Sequence, residues 1–219
     1  MVSPVFQDVV SVLIEPEAIE GFFGMPAGAN GLVIFAHGSG SGRFSPRNNH
    51  VAAALRQAGL ATLLVDLLRP DEELDRRNVF DIDLLATRLL AAKRWSSETP
   101  ATSHLGVGYF GASTGAGAAL RAAHAGSDIG AVVSRGGRPD LAADVLPMVR
   151  APTLLLVGSL DGPVIELNRR AYDALTCKKR LLIVEGAGHL FEEPGTMDEV
   201  IRHATDWFVE HLGRPAEGK

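Results

Sequence analysis

The sequence predicts an α/β fold in which a mostly parallel, twisted sheet carries helices on both faces. Two observations support this prediction. Continuous apolar runs of six or seven residues recur along the chain, which is typical of strands buried on both faces. Segments of helical length separate these runs, as in repeated strand–helix–strand units. With 219 residues, 46% of them hydrophobic, the chain can bury one sizeable core, so we expect residues 1–219 to form a single domain.

The apolar runs place the parallel strands at residues 31–36, 60–66, 105–111, 129–134, 153–158 and 180–186. Within the first 26 residues, two further runs predict an antiparallel pair at one edge of the sheet. Amphipathic or alanine-rich patterns predict helices at 48–58, 81–95, 114–124, 164–175 and 196–211. Thr196 and Glu199 have the spacing of a capping box at the start of the last helix. Residues 68–78 are expected to form one long polar loop.

Composition narrows the range of partners and compartments. The formal net charge of −5 argues against a nucleic-acid partner. The N-terminal residues lack the pattern of a signal peptide, and no window has the length of a membrane span. Cys177 is the only cysteine, which favours a reducing compartment and hence a cytoplasmic protein. We expect a monomer or small homo-oligomer that has no membrane partner.

The segment GASTG, residues 111–115, has the pattern of a nucleophile elbow. It joins an apolar strand to a small-residue helix, and Gly111 and Gly115 flank Ser113 where side chains would collide with a crowded turn. A serine hydroxyl needs a base to take its proton and backbone donors to stabilise the charge that forms on the substrate. The motif alone is weak, because a glycine-rich turn that merely connects a strand to its helix would look the same.

The order of later polar residues strengthens this interpretation. Asp161 follows the strand at 153–158, and His189 follows the strand at 180–186, so both are expected at the carboxyl edge of the sheet. Serine, then acid, then histidine is the chain order of a catalytic triad on this kind of sheet. We therefore predict Ser113 as nucleophile, His189 as general base and Asp161 as the acid that orients the imidazole. Asp66 is the competing acid, for which we expect a structural role in a turn.

The glycine-rich segment HGSGSG, residues 37–42, lies at the end of the first parallel strand. Such a loop can supply a backbone donor to an oxyanion hole. We nominate the N–H groups of Ser39 and Thr114 as the two donors. For His37 we expect hydrogen bonding within the loop rather than a role as a second base.

Two other kinds of site are weaker matches. Residues 106–111 fit the spacing GxGxxG, and Asp128 lies near the distance at which a dinucleotide-binding fold keeps its acid, but the glycines fall within a predicted strand. A metal site would have to use His189 with Glu192 and Glu193, which lack a metal-binding spacing. We expect neither a metal nor an organic cofactor.

Several landmarks together resemble the dienelactone hydrolase family of α/β-hydrolases. They are HGSGSG, the strand end LLVDLL, GASTG, VVSRGGRPDLA, LLLVGSLDGPV and GAGHLFEEPG, and the similarity runs from about residue 18 to residue 211. The resemblance implies an α/β-hydrolase fold with the nucleophile at Ser113, the acid at Asp161 and the base at His189. Founding members of the family use cysteine as the nucleophile, so serine here favours general ester chemistry.

The resemblance and the triad together predict hydrolysis of a carboxylic ester or lactone of small to medium size through an acyl-enzyme. The alternatives are an acyltransferase or thioesterase that uses the same triad, and a ligand-binding protein without catalysis. Residues 135–152 are too few for a large helical lid, so an open, shallow site is expected. Arg135 and Arg138 have two interpretations, steering of an anionic substrate or structuring of their loop.

Overall fold

A computed structural model describes residues 9–125 and 128–213, and its centre is a single eight-stranded sheet. The strands are β1 (Val9–Ile14), β2 (Ile19–Gly24), β3 (Leu32–Ala36), β4 (Ala61–Val65), β5 (Val107–Ala112), β6 (Ile129–Arg135), β7 (Thr153–Gly158) and β8 (Lys179–Val184). Their spatial order is β1-β2-β4-β3-β5-β6-β7-β8. The predicted strands all form, and most of their ends lie within one or two residues of the expected positions.

The sheet is parallel from β4 to β8, and its antiparallel part is the N-terminal hairpin. β1 pairs with β2, and β2 then pairs with β4, both in antiparallel register. The pairs β3–β4, β3–β5, β5–β6, β6–β7 and β7–β8 are parallel. The predicted antiparallel edge is thus confirmed, and the carboxyl ends of β3 to β8 meet at one edge of the sheet.

Five long helices cover the two faces of the sheet. They are α1 (Pro46–Gln57), α4 (Ile82–Glu98), α5 (Thr114–Ala125), α6 (Gly162–Ala174) and α7 (Thr196–Leu212). α1 and α7 pack on one face in a core that includes Phe35, Phe110 and Phe208. α4, α5 and α6 pack on the other face, around residues such as Ile34 and Tyr109. Strands between two helical layers are buried on both sides, which explains their uninterrupted apolar sequences.

The segment at 68–78 differs from the predicted polar loop because it contains two short helices. They are α2 (Pro70–Glu73) and α3 (Arg76–Val79). Pro70 occupies the first turn of α2, where a missing N–H costs little, and Asp75 accepts a hydrogen bond from the N–H of Arg77 at the start of α3. Glu72 also forms a largely buried ion pair with Arg88 of α4, with 2.6 Å between the paired atoms. The segment is therefore tied to the body of the fold.

The predicted capping box of α7 is wrong. The N-cap is Gly195, at φ 79°, and no side chain caps the helix there. The Thr196 hydroxyl donates to the carbonyl oxygen of Glu193 at 2.7 Å, and Glu199 pairs with Arg202 instead of reaching back. The left-handed glycine turns the chain sharply and places Thr196 inside the helix.

The connection between β6 and β7 is short, as predicted. It contains two 3-10 turns, Pro139–Ala142 and Leu146–Met148, and no inserted helical lid. The carboxyl edge of the sheet near β5 and β6 is therefore not covered by such an insertion. In the described ranges, the longest helices are too short or too polar to cross a bilayer.

Candidate active site

Ser113 lies between the end of β5 and the start of α5, in a left-handed backbone conformation with φ 50°. A non-glycine residue in this region is strained, and such strain is commonly found at functional positions. The turn is held in place by backbone hydrogen bonds. The Ser113 N–H donates to Arg135 O at 3.2 Å, and the Ser113 carbonyl accepts from the N–H groups of Ala116 and Arg138. The serine is therefore fixed between two neighbouring strand ends.

The two glycines around Ser113 allow this tight crossing. A Cβ atom at Gly111 would overlap the backbone of Ala116 in the first turn of α5. A Cβ atom at Gly115 would overlap the carbonyl oxygens of Ala36 and His37 at the end of β3. The prediction that side chains would collide at both positions is confirmed.

Asp161 and His189 are in direct contact. The Asp161 Oδ2 atom lies 2.7 Å from His189 Nδ1, within hydrogen-bond distance. Asp161 is the N-cap of α6, yet its carboxylate makes no capping hydrogen bond and is instead directed at the imidazole. The Asp161 side chain is 12% exposed, whereas that of His189 is 39% exposed. The acid is thus largely shielded, and the imidazole extends toward solvent.

Close packing between the loops after β7 and β8 brings this pair together. A Cβ atom at Gly158 would overlap the carbonyl oxygen of Ala187, so only glycine permits the approach. The N–H of Leu160 donates to the same Ala187 oxygen at 3.0 Å, and the Ser159 hydroxyl accepts from the N–H of Gly186 at 2.9 Å. These bonds join the loop that carries the acid to the loop that carries the histidine.

The turn before the histidine is stabilised from the other side by Glu193. Its carboxylate accepts a hydrogen bond from the Gly188 N–H at 3.0 Å, and this bond lowers the pKa of Glu193 below its usual value. Glu192 forms a 2.6 Å ion pair with Arg47 in the first turn of α1. Among the described residues, no group of three or more potential metal-ligating side chains is found.

The structure brings Ser113 and His189 to the same edge of the sheet without joining them by a hydrogen bond. Gly136, next to Arg135, contacts His189, since a Cβ atom there would lie 3.0 Å from the His189 carbonyl oxygen and 3.5 Å from Nδ1. The backbone carbonyl oxygen of Arg135 in turn accepts a hydrogen bond from the Ser113 N–H. In the described part of the chain, no side chain forms a hydrogen bond with the Ser113 hydroxyl.

Ser39 and Thr114 are also neighbours, in an arrangement that the sequence did not predict. The Ser39 N–H donates to the Thr114 hydroxyl oxygen at 3.1 Å, across 75 positions of sequence. The Gly38 position is close to the nucleophile, where a Cβ atom would lie 3.0 Å from Ser113 Cβ. The loop thus lies beside Ser113, and the Ser39 N–H already has the Thr114 hydroxyl as its acceptor.

His37 makes one hydrogen bond within its loop, as predicted, and a second one to a distant segment. Its Nε2 accepts from the N–H of Leu67 at 3.0 Å, which places the proton on Nδ1, 2.9 Å from the carbonyl oxygen of Gly38. Burial lowers the pKa of His37, so the neutral form is favoured. The ring joins the ends of β3 and β4.

Asp66 is held by Arg43 and makes no hydrogen bond or ion pair with His189. It accepts from the N–H of Arg43 at 2.7 Å and forms an ion pair with the Arg43 guanidinium, which also pairs with Glu20. These contacts are structural, as predicted, but they join the end of β4 to a distant segment and are not bonds within a turn. Asp128, the acid of the nucleotide-binding alternative, pairs with Lys93 at 2.6 Å, and the glycines of that motif lie at or within β5 as expected.

The two arginines after β6 have different environments. Arg138 binds Asp140 through two hydrogen bonds of 2.8 and 2.7 Å, which raises the pKa of Arg138. Arg135 is 6% exposed and lies 5.8 Å from the ring centre of Phe191, a residue with φ 56° two positions after the histidine. Loop structuring accounts for Arg138, and Arg135 packs against the histidine loop.

Two cavities adjoin the glycine-rich loop at 37–42. A small pocket of about 130 Å³ lies on the α4 side, and its lining includes Thr114, Leu68, Val79 and Leu85. A larger, open cleft of about 780 Å³ runs along residues 39–47 toward the N-terminal hairpin. Val79 of α3, which lines the small pocket, could not be assigned to it from sequence, because its segment looked like a polar loop.

Comparison with known proteins agrees with this architecture. No protein-family profile matches the chain. A crystal structure of dienelactone hydrolase from Anabaena variabilis is 54% identical and superposes with a TM-score of 0.89, covering 94% of this chain and 97% of that one. An esterase from Pyrococcus furiosus, 16% identical with a TM-score of 0.75 over 94% of this chain and 93% of its own, shares the fold.

Two curated relatives from different strains of Mycobacterium tuberculosis carry the provisional name phosphoribosyl transferase. Each is 54% identical over 213 residues, which is 97% of this chain and 48% of the relative. The chain therefore spans about half the length of these curated relatives.

The sheet order, the flanking helices and the strand-to-helix turn at Ser113 define an α/β-hydrolase fold. The 54% sequence identity extends over nearly the whole length of the Anabaena structure, so the two proteins share a family as well as a fold. The chain belongs to the dienelactone hydrolase family, as its sequence landmarks indicated.

The crowding at Gly115 predicts a difference between two glycine-to-alanine substitutions. Gly115→Ala should lower the free energy of unfolding by about 1–3 kcal/mol or more, because the new methyl group must displace the end of β3. Gly162→Ala, in the first turn of α6 with no atom near the new methyl group, is the matched control and should be neutral or stabilising. Urea unfolding followed by circular dichroism measures both, and equal stability of the two variants would contradict the crowded elbow.

Proposed function

We propose that this chain hydrolyses carboxylic esters, including lactones, of small to medium size through an acyl intermediate on Ser113. The observation that carries the proposal is the 2.7 Å contact between Asp161 and His189, at the sheet edge where Ser113 occupies a strained turn. A shielded carboxylate directed at a half-exposed imidazole is the arrangement that a general base requires.

In this mechanism, Asp161 selects the tautomer of the base. A carboxylate accepts hydrogen bonds, so its contact with Nδ1 places the proton there and leaves Nε2 of His189 free to accept one. Nε2 takes the proton of Ser113 as Oγ attacks the carbonyl carbon. The bond to the leaving oxygen then breaks, and His189 returns the proton to the departing alcohol. Water, deprotonated by the same nitrogen, attacks the acyl group and releases the carboxylic acid together with the free serine.

The start of α5 supplies the electrostatic part of the proposal. The N–H groups in the first turn of a helix lack intrahelical partners and favour negative charge, and Thr114 is the first residue of α5. We assign the Thr114 N–H as one oxyanion donor. The Ser39 N–H is the second, and in the transition state the substrate oxygen replaces the Thr114 hydroxyl as its acceptor.

The small pocket beside Thr114 favours short acyl groups. Its volume of about 130 Å³ is well below the size of typical drug-sized ligand pockets. Leu68, Val79 and Leu85 give it an apolar wall, and Glu73 and His37 also line it. An acyl group of a few carbons would fit in this pocket with its carbonyl oxygen near the Ser39 and Thr114 donors. The wider cleft along residues 39–47 leaves room for water or for a larger alcohol part.

The transferase name of the mycobacterial relatives does not alter this proposal. Those proteins are about twice as long, and we assign the name to the half that this chain does not cover. This chain, which is 54% identical to the half that it covers, superposes on the Anabaena dienelactone hydrolase with a TM-score of 0.89. Phosphoribosyl transfer by this chain alone would contradict the assignment.

A fluorophosphonate probe tests the nucleophile directly. The wild-type protein should be labelled on Ser113, since an activated serine hydroxyl displaces fluoride from phosphorus. Ser113→Ala should abolish labelling. Ser97→Ala, at the end of α4, is the matched control and should be labelled like the wild type. Intact-mass analysis with peptide mapping provides the readout. A folded wild-type protein that remains unlabelled would instead support a ligand-binding protein without catalysis.

Substitution of the two candidate acids separates their roles. Asp161→Asn should lower kcat for p-nitrophenyl acetate by about 10³–10⁴-fold, because the amide no longer fixes the required tautomer of His189. Asp66→Asn keeps an acceptor for the Arg43 N–H but loses the ion pair. It should cost about 1 kcal/mol of stability and less than about tenfold in kcat. A larger loss of kcat at Asp66 than at Asp161 would reverse the assignment of the acid.

A further inference from the structure

Asn168 is a completely buried polar side chain on α6, the helix that begins at the proposed acid. Its Nδ2 atom donates to the carbonyl oxygen of Gly137 at 3.0 Å and to that of Val164 at 2.8 Å. The first bond crosses from α6 to the turn after β6, and the second stays within the helix. Burying an amide is costly, and a leucine of the same branched shape would avoid that cost. Packing alone therefore does not explain the residue.

The turn that accepts the crossing bond, residues 136–138, contacts both the nucleophile and the base. The N–H of Arg138 donates to the carbonyl oxygen of Ser113 at 3.0 Å. A Cβ atom at Gly136 would lie 3.0 Å from the carbonyl oxygen of His189. Asn168 thus joins the helix of the acid to the segment that lies against the other two members of the triad.

The 136–138 turn is itself held firmly by the body of the fold. A Cβ atom at Gly137 would overlap Ser134 Oγ and Ala116 Cβ, so the backbone there packs directly on β6 and α5. The N–H of Gly136 donates to the carbonyl oxygen of Leu156 in β7 at 2.8 Å. The Gly137 carbonyl is therefore a fixed acceptor, and its bond to Asn168 restrains the helix.

Helix α6 depends on such a restraint because little of it is buried. Of its 13 residues, only Asn168 and Ala171 are buried. By contrast, nine of the 12 residues of α5 are buried. A helix with few buried contacts is held weakly by apolar packing, so a directional hydrogen bond has a larger share in fixing its position.

A short path of hydrogen bonds leads from Asn168 to the acid. Val164, which accepts from the Asn168 amide, donates its own N–H to the carbonyl oxygen of Asp161 at 3.0 Å. Asp161 is the N-cap of α6, and its carboxylate contacts His189. A shift of α6 relative to the 136–138 turn would therefore move the acid relative to the base.

Resting on the proposed esterase function, we propose that Asn168 is a positioning residue of the triad. Its amide holds α6 against the 136–138 turn and thereby keeps Asp161 within hydrogen-bond reach of His189. Asn168 touches no reacting atom and acts through Asp161. A misplacement of about 1 Å in such a site costs up to about 10²-fold in rate.

The first test replaces the amide by an apolar group of the same shape. Asn168→Leu removes both hydrogen bonds. It should lower kcat for p-nitrophenyl acetate by about 10–10²-fold and change KM by less than about twofold, because the pocket and the oxyanion donors lie elsewhere. Ala171→Gly is the matched control, since it weakens α6 and keeps both bonds. It should lower the melting temperature and retain the wild-type kcat.

The outcomes of this comparison are distinct. If Asn168→Leu lowers the melting temperature as Ala171→Gly does but keeps the wild-type kcat, Asn168 is a packing residue and the proposal fails. Asn168→Ser covers the case in which the leucine variant does not fold. Its hydroxyl can donate to Val164 one turn back in the helix but is too short to reach Gly137. It should lose kcat as the leucine variant does, and an unchanged kcat would overturn the proposal.

A spectroscopic measurement keeps the positioning role separate from the esterase function. Correlation spectra of imidazole protons and ¹⁵N at alkaline pH report the tautomer of His189, whose signals disappear in His189→Gln. The wild type should show the Nδ1–H tautomer, which the contact with Asp161 stabilises. Asn168→Leu should populate the Nε2–H tautomer, and Ala171→Gly should keep the wild-type spectrum.

This shift of tautomer would support the positioning role even if the wild type hydrolysed no ester. An unchanged His189 spectrum in Asn168→Leu would overturn it even if the wild type proved to be an active esterase. A wild type that lacks the Nδ1–H tautomer would overturn it as well.

Discussion

The close approach of three loops at the carboxyl edge of the sheet is the constraint on which the site depends. Gly115 lets the turn at Ser113 cross the end of β3, and Gly158 lets the acid loop pack against the histidine loop. A single methyl group at either position would overlap a backbone oxygen. The hydrogen bond between Asp161 and His189 follows from this backbone packing, so its geometry is set before any substrate arrives.

Much of this arrangement could be predicted from sequence because its signals are local. Continuous apolar runs located the strands, and the GASTG turn located the elbow. The helices at 70–79 were missed because Pro70 and a run of charged residues resemble a loop, while the ion pair from Glu72 to Arg88 is a tertiary contact. The Ser39 to Thr114 bond and the Asn168 to Gly137 bond join residues distant in sequence, which no local pattern reveals.

The two sides of Ser113 differ in their surroundings. On the α4 side, Leu68, Val79 and Leu85, together with Glu73 and His37, line a small pocket next to the helix terminus that we assign to the oxyanion. On the α1 and α7 side, a buried guanidinium lies near the histidine loop, and the adjoining arginine is already paired.

The most direct test of the account is a crystal structure of the protein after reaction with a small organophosphate. The account predicts a covalent bond from Ser113 Oγ to phosphorus, with His189 Nε2 within about 3 Å of an oxygen on that phosphorus. It also predicts that a phosphoryl oxygen accepts from the N–H groups of Thr114 and Ser39, with the Thr114 hydroxyl displaced from Ser39. A phosphoryl group on another residue, or an imidazole that stays out of hydrogen-bond reach of the adduct, would contradict the account.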